Sequence, residues 1–233
     1  MAFRFRQFLV EDKKSTMRVG TDAMLLGAWA QPPQTGRILD IGTGCGVLAL
    51  MMAQHSSSFV DAIDQDFPSV AEARGNFEQS PWSNRLTAIH SSLHDFATLN
   101  AGDYDFIITN PPYFANSLKS PSNRKNVTRH DVTLSLEALA EDVQVILSRH
   151  GRLAIILPPE PAGKFIILCE ETGLHLVNRM NVFPKPDAPC SRILMEFSRN
   201  KKTQTSETEL TILDPSGKYS AAYLTLTSAF HKF

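Results

Sequence analysis

The chain has 233 residues, 42% hydrophobic and 20% charged, which suits one domain with a full core and requires no second domain. Its formal net charge of -1 argues, taken globally, against a nucleic-acid binder. Cys45, Cys169 and Cys190 are odd in number, widely spaced and lack a C-x-x-C pair, which argues against a disulfide framework or zinc site and points to a reducing compartment.

The amino terminus, Met1-Ala2-Phe3-Arg4-Phe5-Arg6, has no long apolar run, and no uninterrupted apolar stretch approaches a bilayer span. We therefore expect a cytoplasmic protein held by no membrane. Arg4, Arg6, Lys13, Lys14 and Arg18, interleaved with Phe3, Phe5 and Phe8, form a local basic group able to hold a phosphate backbone. Met17 to Gly27 reads as a capped helix, with Thr21 or Asp22 as N-cap before Ala23 to Trp29.

A strand from Arg37 to Ile41 then runs into Gly42-Thr43-Gly44-Cys45-Gly46 and a helix from Val47 to Gln54. Glycines there let the backbone turn tightly and approach a ligand at a strand's carboxyl end. The spacing is G-x-G-x-G, whereas a dinucleotide fold shows G-x-G-x-x-G to seat a pyrophosphate. Asp40 before the first glycine would repel a pyrophosphate but suits the ammonium of an amino-acid tail, directly or through water. The strand Phe59 to Asp64 ends in an acid placed for ribose hydroxyls. Asp66 reads as a cap for a helix covering Val70 to Phe77.

Strands follow at Leu86 to His90, Phe106 to Thr109 and Leu153 to Leu157, alternating with helical patterns, which means βαβ units and a parallel sheet. A helix from Ala162 to Glu171 ends at Gly173. The strands His175 to Phe183 and Ile193 to Ser198 form an antiparallel edge pair, followed by a polar loop from Lys201 to Ser206, a short strand from Glu207 to Leu213 and a helix from Ser220 to Phe230.

Directly after Thr109 stands Asn110-Pro111-Pro112-Tyr113. Two prolines fix φ and hold the preceding residue extended, so the Asn110 side-chain carbonyl and the Pro111 backbone carbonyl present two acceptors on a rigid turn. An exocyclic NH2 has two donors to match, and the Tyr113 ring offers a face on which a flat base or amide stacks. Lys119, Arg124, Lys125 and Arg129, with His130, occupy the loop just beyond, where cations beside a base pocket suit a phosphate backbone.

The acid after the first strand of the sheet, the glycines and the acid after the second resemble the S-adenosylmethionine-dependent methyltransferases of the Rossmann-like class over residues 37 to 200. With Gln7-Phe8, Met17 to Gly27, the Asn-Pro-Pro-Tyr turn and Arg129-His130-Asp131, nearly the whole chain resembles the bacterial tRNA1(Val) adenine-N6 methyltransferases. The resemblance implies an α/β, Rossmann-like doubly wound, mostly parallel seven-stranded sheet with an antiparallel edge strand. It implies one domain over 1–233: an extension at 1–36 that forms part of the site, a core at 37–200, and a strand and helix at 201–233.

It further implies S-adenosylmethionine as cofactor and, as substrate, the adenosine just 3′ of the anticodon. Arg18, Thr21 and Asp22 would lie near the cofactor, Asp40, Gly42, Thr43 and Gly44 at its methionine end and Asp64 at its ribose, with Asn110 beside it. Ser92 and Leu93 stand where such enzymes often carry an acid for the adenine amino group, with Asp95 a little further on. The tail, Leu226 to Phe233, departs from the relatives in lacking an acid and aromatic pair.

Asn110, Pro111, Pro112 and Tyr113 would be catalytic, holding a target adenine turned out of its stack, and Lys119, Arg124, Lys125, Arg129 and His130 would hold the RNA. No metal, membrane or obligate protein partner is expected, and the chain should act as a monomer on tRNA. The same turn serves methyltransferases acting on rRNA guanine N2, DNA adenine N6 or a release-factor glutamine amide. The alternative from a different class is a noncatalytic module that binds S-adenosylmethionine or RNA.

Overall fold

The structure, a computed structural model, describes residues 2–15, 18–112 and 134–231. Its elements are β1 (Ala2–Arg4), β2 (Leu9–Glu11), α1 (Thr21–Trp29), β3 (Arg37–Ile41), α2 (Val47–His55), β4 (Phe59–Asp64), α3 (Phe67–Glu78), β5 (Leu86–His90) and α4 (Leu93–Leu99). They continue with β6 (Tyr104–Thr109), α5 (Leu136–Ile146), β7 (Leu147–Leu157), α6 (Pro159–Glu171), β8 (His175–Phe183), β9 (Arg192–Ser198), β10 (Ser206–Thr211) and α7 (Ala221–Thr227). α3 starts three residues before the expected Val70 because Asp66 caps it, accepting from the Ser69 N–H at 2.9 Å, and Pro68 fits its first turn.

Eight strands form one sheet in the order β10-β8-β9-β7-β6-β3-β4-β5, and β1 and β2 pair separately as an antiparallel hairpin. The expected α/β class and mostly parallel sheet are present, with two differences. The sheet has eight strands rather than seven, and its antiparallel strand, β9, is not at the edge but lies between β7 and β8. Burial explains both. β9 is buried on both faces, with Ile193, Met195 and Phe197 on one and Leu194 and the Arg152-paired Glu196 on the other, and a strand of that kind needs a neighbour on each side. β10, Ser206 to Thr211, is exposed over its first four residues and tolerates the edge, where it pairs in parallel with β8.

Alternating residues send side chains to opposite faces of the sheet. Ile38, Val60, Phe106, Ile108, Ala154, Ile156 and Leu194 face one core, which α1, α2, α3, α7 and the β1–β2 hairpin cover. Leu39, Ile41, Ile107, Leu153, Ile155 and Met195 face the other, under α4, α5 and α6. The two ends of the chain meet on the first face: the Arg6 N–H donates to Phe230 O at 2.9 Å, and the Phe5 ring meets Phe230 edge-on at 6.5 Å.

Candidate active site

Register brings the motifs together. β3 pairs with β6 so that Ile41 lies opposite Thr109, and with β4 so that Ile41 lies opposite Ile63. The residues that follow, Gly42, Asn110 and Asp64, therefore start from three adjacent strand ends. Thr109 fastens this arrangement, its buried Oγ1 donating to Ile41 O at 2.9 Å.

The glycine loop has a left-handed backbone at Gly42, Gly44 and Gly46, with φ of 70°, 55° and 83°. At Gly46, which opens α2, a Cβ would come within 2.5 Å of the Phe77 ring, so the side-chain-free backbone is also needed for packing. At Gly42 a Cβ would meet nothing within 4 Å, which leaves the space over the loop open to a ligand.

Asp40 points toward α2 and is fully buried. One oxygen, Oδ2, accepts from Thr43 Oγ1 at 2.6 Å and from the Ala49 N–H at 3.1 Å. The other, Oδ1, is buried with no partner among the described residues. Burial pushes the carboxyl up to about 7 against the lowering effect of those hydrogen bonds, and the charge of Asp64 adds to the rise. A group with no accessible surface acts on a ligand through its charge, with contact reached through water or a small shift of the loop.

Asp64 takes the Gly44 N–H on Oδ2 and the Asp66 N–H on Oδ1, both at 2.9 Å. Each oxygen of a carboxylate has a second acceptor site, so hydroxyl donors can still be received. Two carboxylates flanking a glycine loop favour an ammonium and hydroxyls over a pyrophosphate. The residues present thus fit a cofactor with an amino-acid tail and a ribose.

Ser92 caps α4, accepting the Asp95 N–H at 3.1 Å while its hydroxyl donates to Asp95 Oδ2 at 2.7 Å. The two side chains are hydrogen-bonded to each other, so an adenine amino group would meet the pair rather than either alone. Leu93 is buried beside them.

Asn110 is half-buried, Pro111 buried and Pro112 exposed. Asn110 lines a cleft of about 300 Å³ with Arg18, Gly20, Thr21, Asp22, Ala23 and Arg192. The amino-terminal residues expected near the cofactor thus share one cleft with the first residue of the Asn-Pro-Pro-Tyr motif. Neither Thr21 nor Asp22 caps α1: Gly20 is the N-cap, and Asp22, in the first turn, pairs with Arg192 Nε at 2.8 Å. Tyr113, Lys119, Arg124, Lys125, Arg129 and His130 lie outside the described residues.

Of the amino-terminal basic group, Arg6 donates through Nε to His231 O at 2.8 Å, and Lys13 pairs with Glu11 at 3.2 Å. Their segment is moored by Glu72, whose carboxylate accepts the N–H groups of Lys13, Lys14 and Ser15 at 2.7, 2.9 and 2.8 Å. Sequence reasoning missed Arg192. A cation opening a mostly apolar strand was the available signal, but its partner lies 170 positions away.

The Methyltransferase small domain family matches residues 15–157. A tRNA1(Val) (adenine(37)-N6)-methyltransferase of Parabacteroides distasonis is 38% identical, covering 98% of this chain and 97% of its own. Among solved structures, a predicted O-methyltransferase from Agrobacterium tumefaciens superposes with a TM-score of 0.70 at 19% identity, covering 90% of this chain and 96% of its own. M. jannaschii TYW2 in complex with AdoMet superposes with a TM-score of 0.56 at 13% identity, covering 85% and 86%.

Proposed function

Because the chain belongs to the tRNA1(Val) (adenine(37)-N6)-methyltransferase family, we propose that the cleft beside Asn110 is where it methylates N6 of an adenosine in the anticodon loop of a tRNA. The protein is an S-adenosylmethionine-dependent tRNA methyltransferase. The observation that carries the site assignment is the register that starts Gly42, Asp64 and Asn110 from adjacent strand ends.

S-adenosylmethionine supplies an electrophilic methyl group when bound. Asp40 sets the negative field for its ammonium, Asp64 receives ribose hydroxyls, and the Ser92–Asp95 pair meets the adenine amino group. The Asn110 side-chain carbonyl and the Pro111 carbonyl accept the two N6 hydrogens of the target base, fixing the direction of its nitrogen lone pair. Those contacts strengthen as positive charge grows on nitrogen, so they stabilise the transition state as well as position the base. No general base is needed before attack, because the N6 proton becomes acidic only as the new bond forms and then leaves to water. Tyr113 stacks on the base in this reading, and Lys119, Arg124, Lys125, Arg129 and His130 hold phosphates. A monomer acting in the cytoplasm is part of the same proposal.

The test is transfer of labelled methyl from S-adenosylmethionine to tRNA from a strain lacking its own adenine methylase, followed by nucleoside analysis. N6-methyladenosine in the anticodon loop of a valine tRNA is the expected product. Label in rRNA, DNA or a release factor instead would transfer the reading to that substrate, and cofactor binding without transfer to any of them would make the chain a noncatalytic module.

A further inference from the structure

Among the described strands of the large sheet, β9 alone runs against the others. Its first residue, rather than its last, therefore stands at the end of the sheet where Asp64 and Asn110 stand. Ile193 lies opposite Leu157 at the end of β7, and Arg192 is one position further out. There its Nε donates to Asp22 Oδ2 at 2.8 Å, and Nη1 donates to Ser191 O at 2.7 Å.

The partner belongs to a helix end whose N-cap residue, Gly20, has no side chain with which to cap it. α1 starts after Gly20 with no side-chain cap hydrogen bond, while Leu25 and Leu26, further along, are fully buried in the core. The apolar body of α1 is held by packing, and its first turn is tied through Asp22 to β9. Both members of the pair line the cleft with Asn110, at 31% and 23% side-chain exposure. The pair sits at the wall of the cleft rather than in either core, so what it fixes is that wall.

We propose that Arg192 is a positioning residue for methyl transfer: through Asp22 it holds the first turn of α1 in place, making residues 20–23 one wall of the cleft that Asn110 also lines. The inference rests on reading that cleft as the methyl-transfer site. A wall displaced by about an ångström costs on the order of 10- to 100-fold in rate.

The experiment compares wild type, Arg192→Ala, Arg192→Lys, Asp22→Arg and the exchange Asp22→Arg with Arg192→Asp, measuring kcat and KM for tRNA, thermal melting, and amide exchange over residues 21–24. Arg192→Ala should lower kcat by about 10- to 100-fold at a nearly unchanged melting temperature, with faster exchange confined to the first turn of α1. Arg192→Lys should recover part of the loss, and the exchange should exceed Asp22→Arg alone in kcat. Unchanged kcat and KM in Arg192→Ala, or a loss that tracks the folded fraction and that the exchange does not relieve, overturns the proposal. Wild-type protein that transfers no methyl to tRNA overturns instead the reading on which it rests.

Discussion

A carboxylate without accessible surface is costly to ionise, and Asp40 carries that cost between the glycine loop and α2. Its folded pKa of about 7 lies above the unfolded 3.8, so its contribution to stability is complete below 3.8 and is lost as pH rises through 7. A bound ammonium favours the ionised form, which links cofactor binding to release of a proton. Cofactor affinity measured by titration calorimetry should rise between about pH 6 and pH 7.5, by up to about tenfold per unit, and fall again as the α-amino group deprotonates near 8. An affinity that is flat below pH 7 would remove Asp40 from the site. Asn110 belongs to a different step: Asn110→Ala should cut turnover by about 10²-fold or more with cofactor affinity nearly unchanged, read as kcat against the calorimetric Kd. The roles of both residues could be framed from the strand, glycine and proline context alone. The orphan oxygen and raised pKa of Asp40 could not, because burial is a property of what packs around a residue.

At the scale of elements, ends and connections place the site. The cap at Asp66 was legible because an acid before a proline-containing first turn acts locally. The mooring of residues 13–15 on Glu72 was not, since an acid in the middle of α3 looks like any solvated helix residue until the amino-terminal segment lies over it. Burial alone would raise the Glu72 carboxyl, but the N–H bonds from Ser15, Lys14 and Lys13 outweigh it and hold the pKa below the ordinary 4.5. Glu72 therefore contributes fully above 4.5, and its contribution disappears as pH falls through the folded value, the reverse of Asp40. Glu72→Ala takes away the acceptor of three backbone donors on a segment where Lys13 and Lys14 are exposed, so water can replace it and the loss falls on the mooring of that segment rather than on the core. We expect it to appear as faster trypsin cleavage after Lys13 and Lys14, with lower methyl transfer and a small change in melting temperature. A large fall in melting temperature without local cleavage would show that Glu72 supports the core instead.

For the whole molecule, net charge and local charge give opposite readings. A chain at -1 nonetheless presents Arg4, Lys14 and Arg18 on its exposed amino-terminal segment, Arg18 at the cleft itself. Held by cations, tRNA should bind with an affinity that falls as salt rises, with a slope of log K on log salt of about -2 to -3.5 for three to five phosphate contacts, whereas cofactor binding should move little. A filter-binding series from low to moderate salt checks this, and a flat response would exclude phosphate contacts as the main grip. By itself the sequence determined the alternation of strands and helices and the glycine loop, and it offered the Asn-Pro-Pro-Tyr motif, because each is written in neighbouring residues through period, backbone freedom and local hydrogen bonding. Only the tertiary structure decided that β9 enters the sheet interior, that Arg192 thereby meets Asp22 beside Asn110, and that the amino-terminal segment is moored on Glu72. These depend on pairings between residues far apart in the chain, chosen by which surfaces can be buried together.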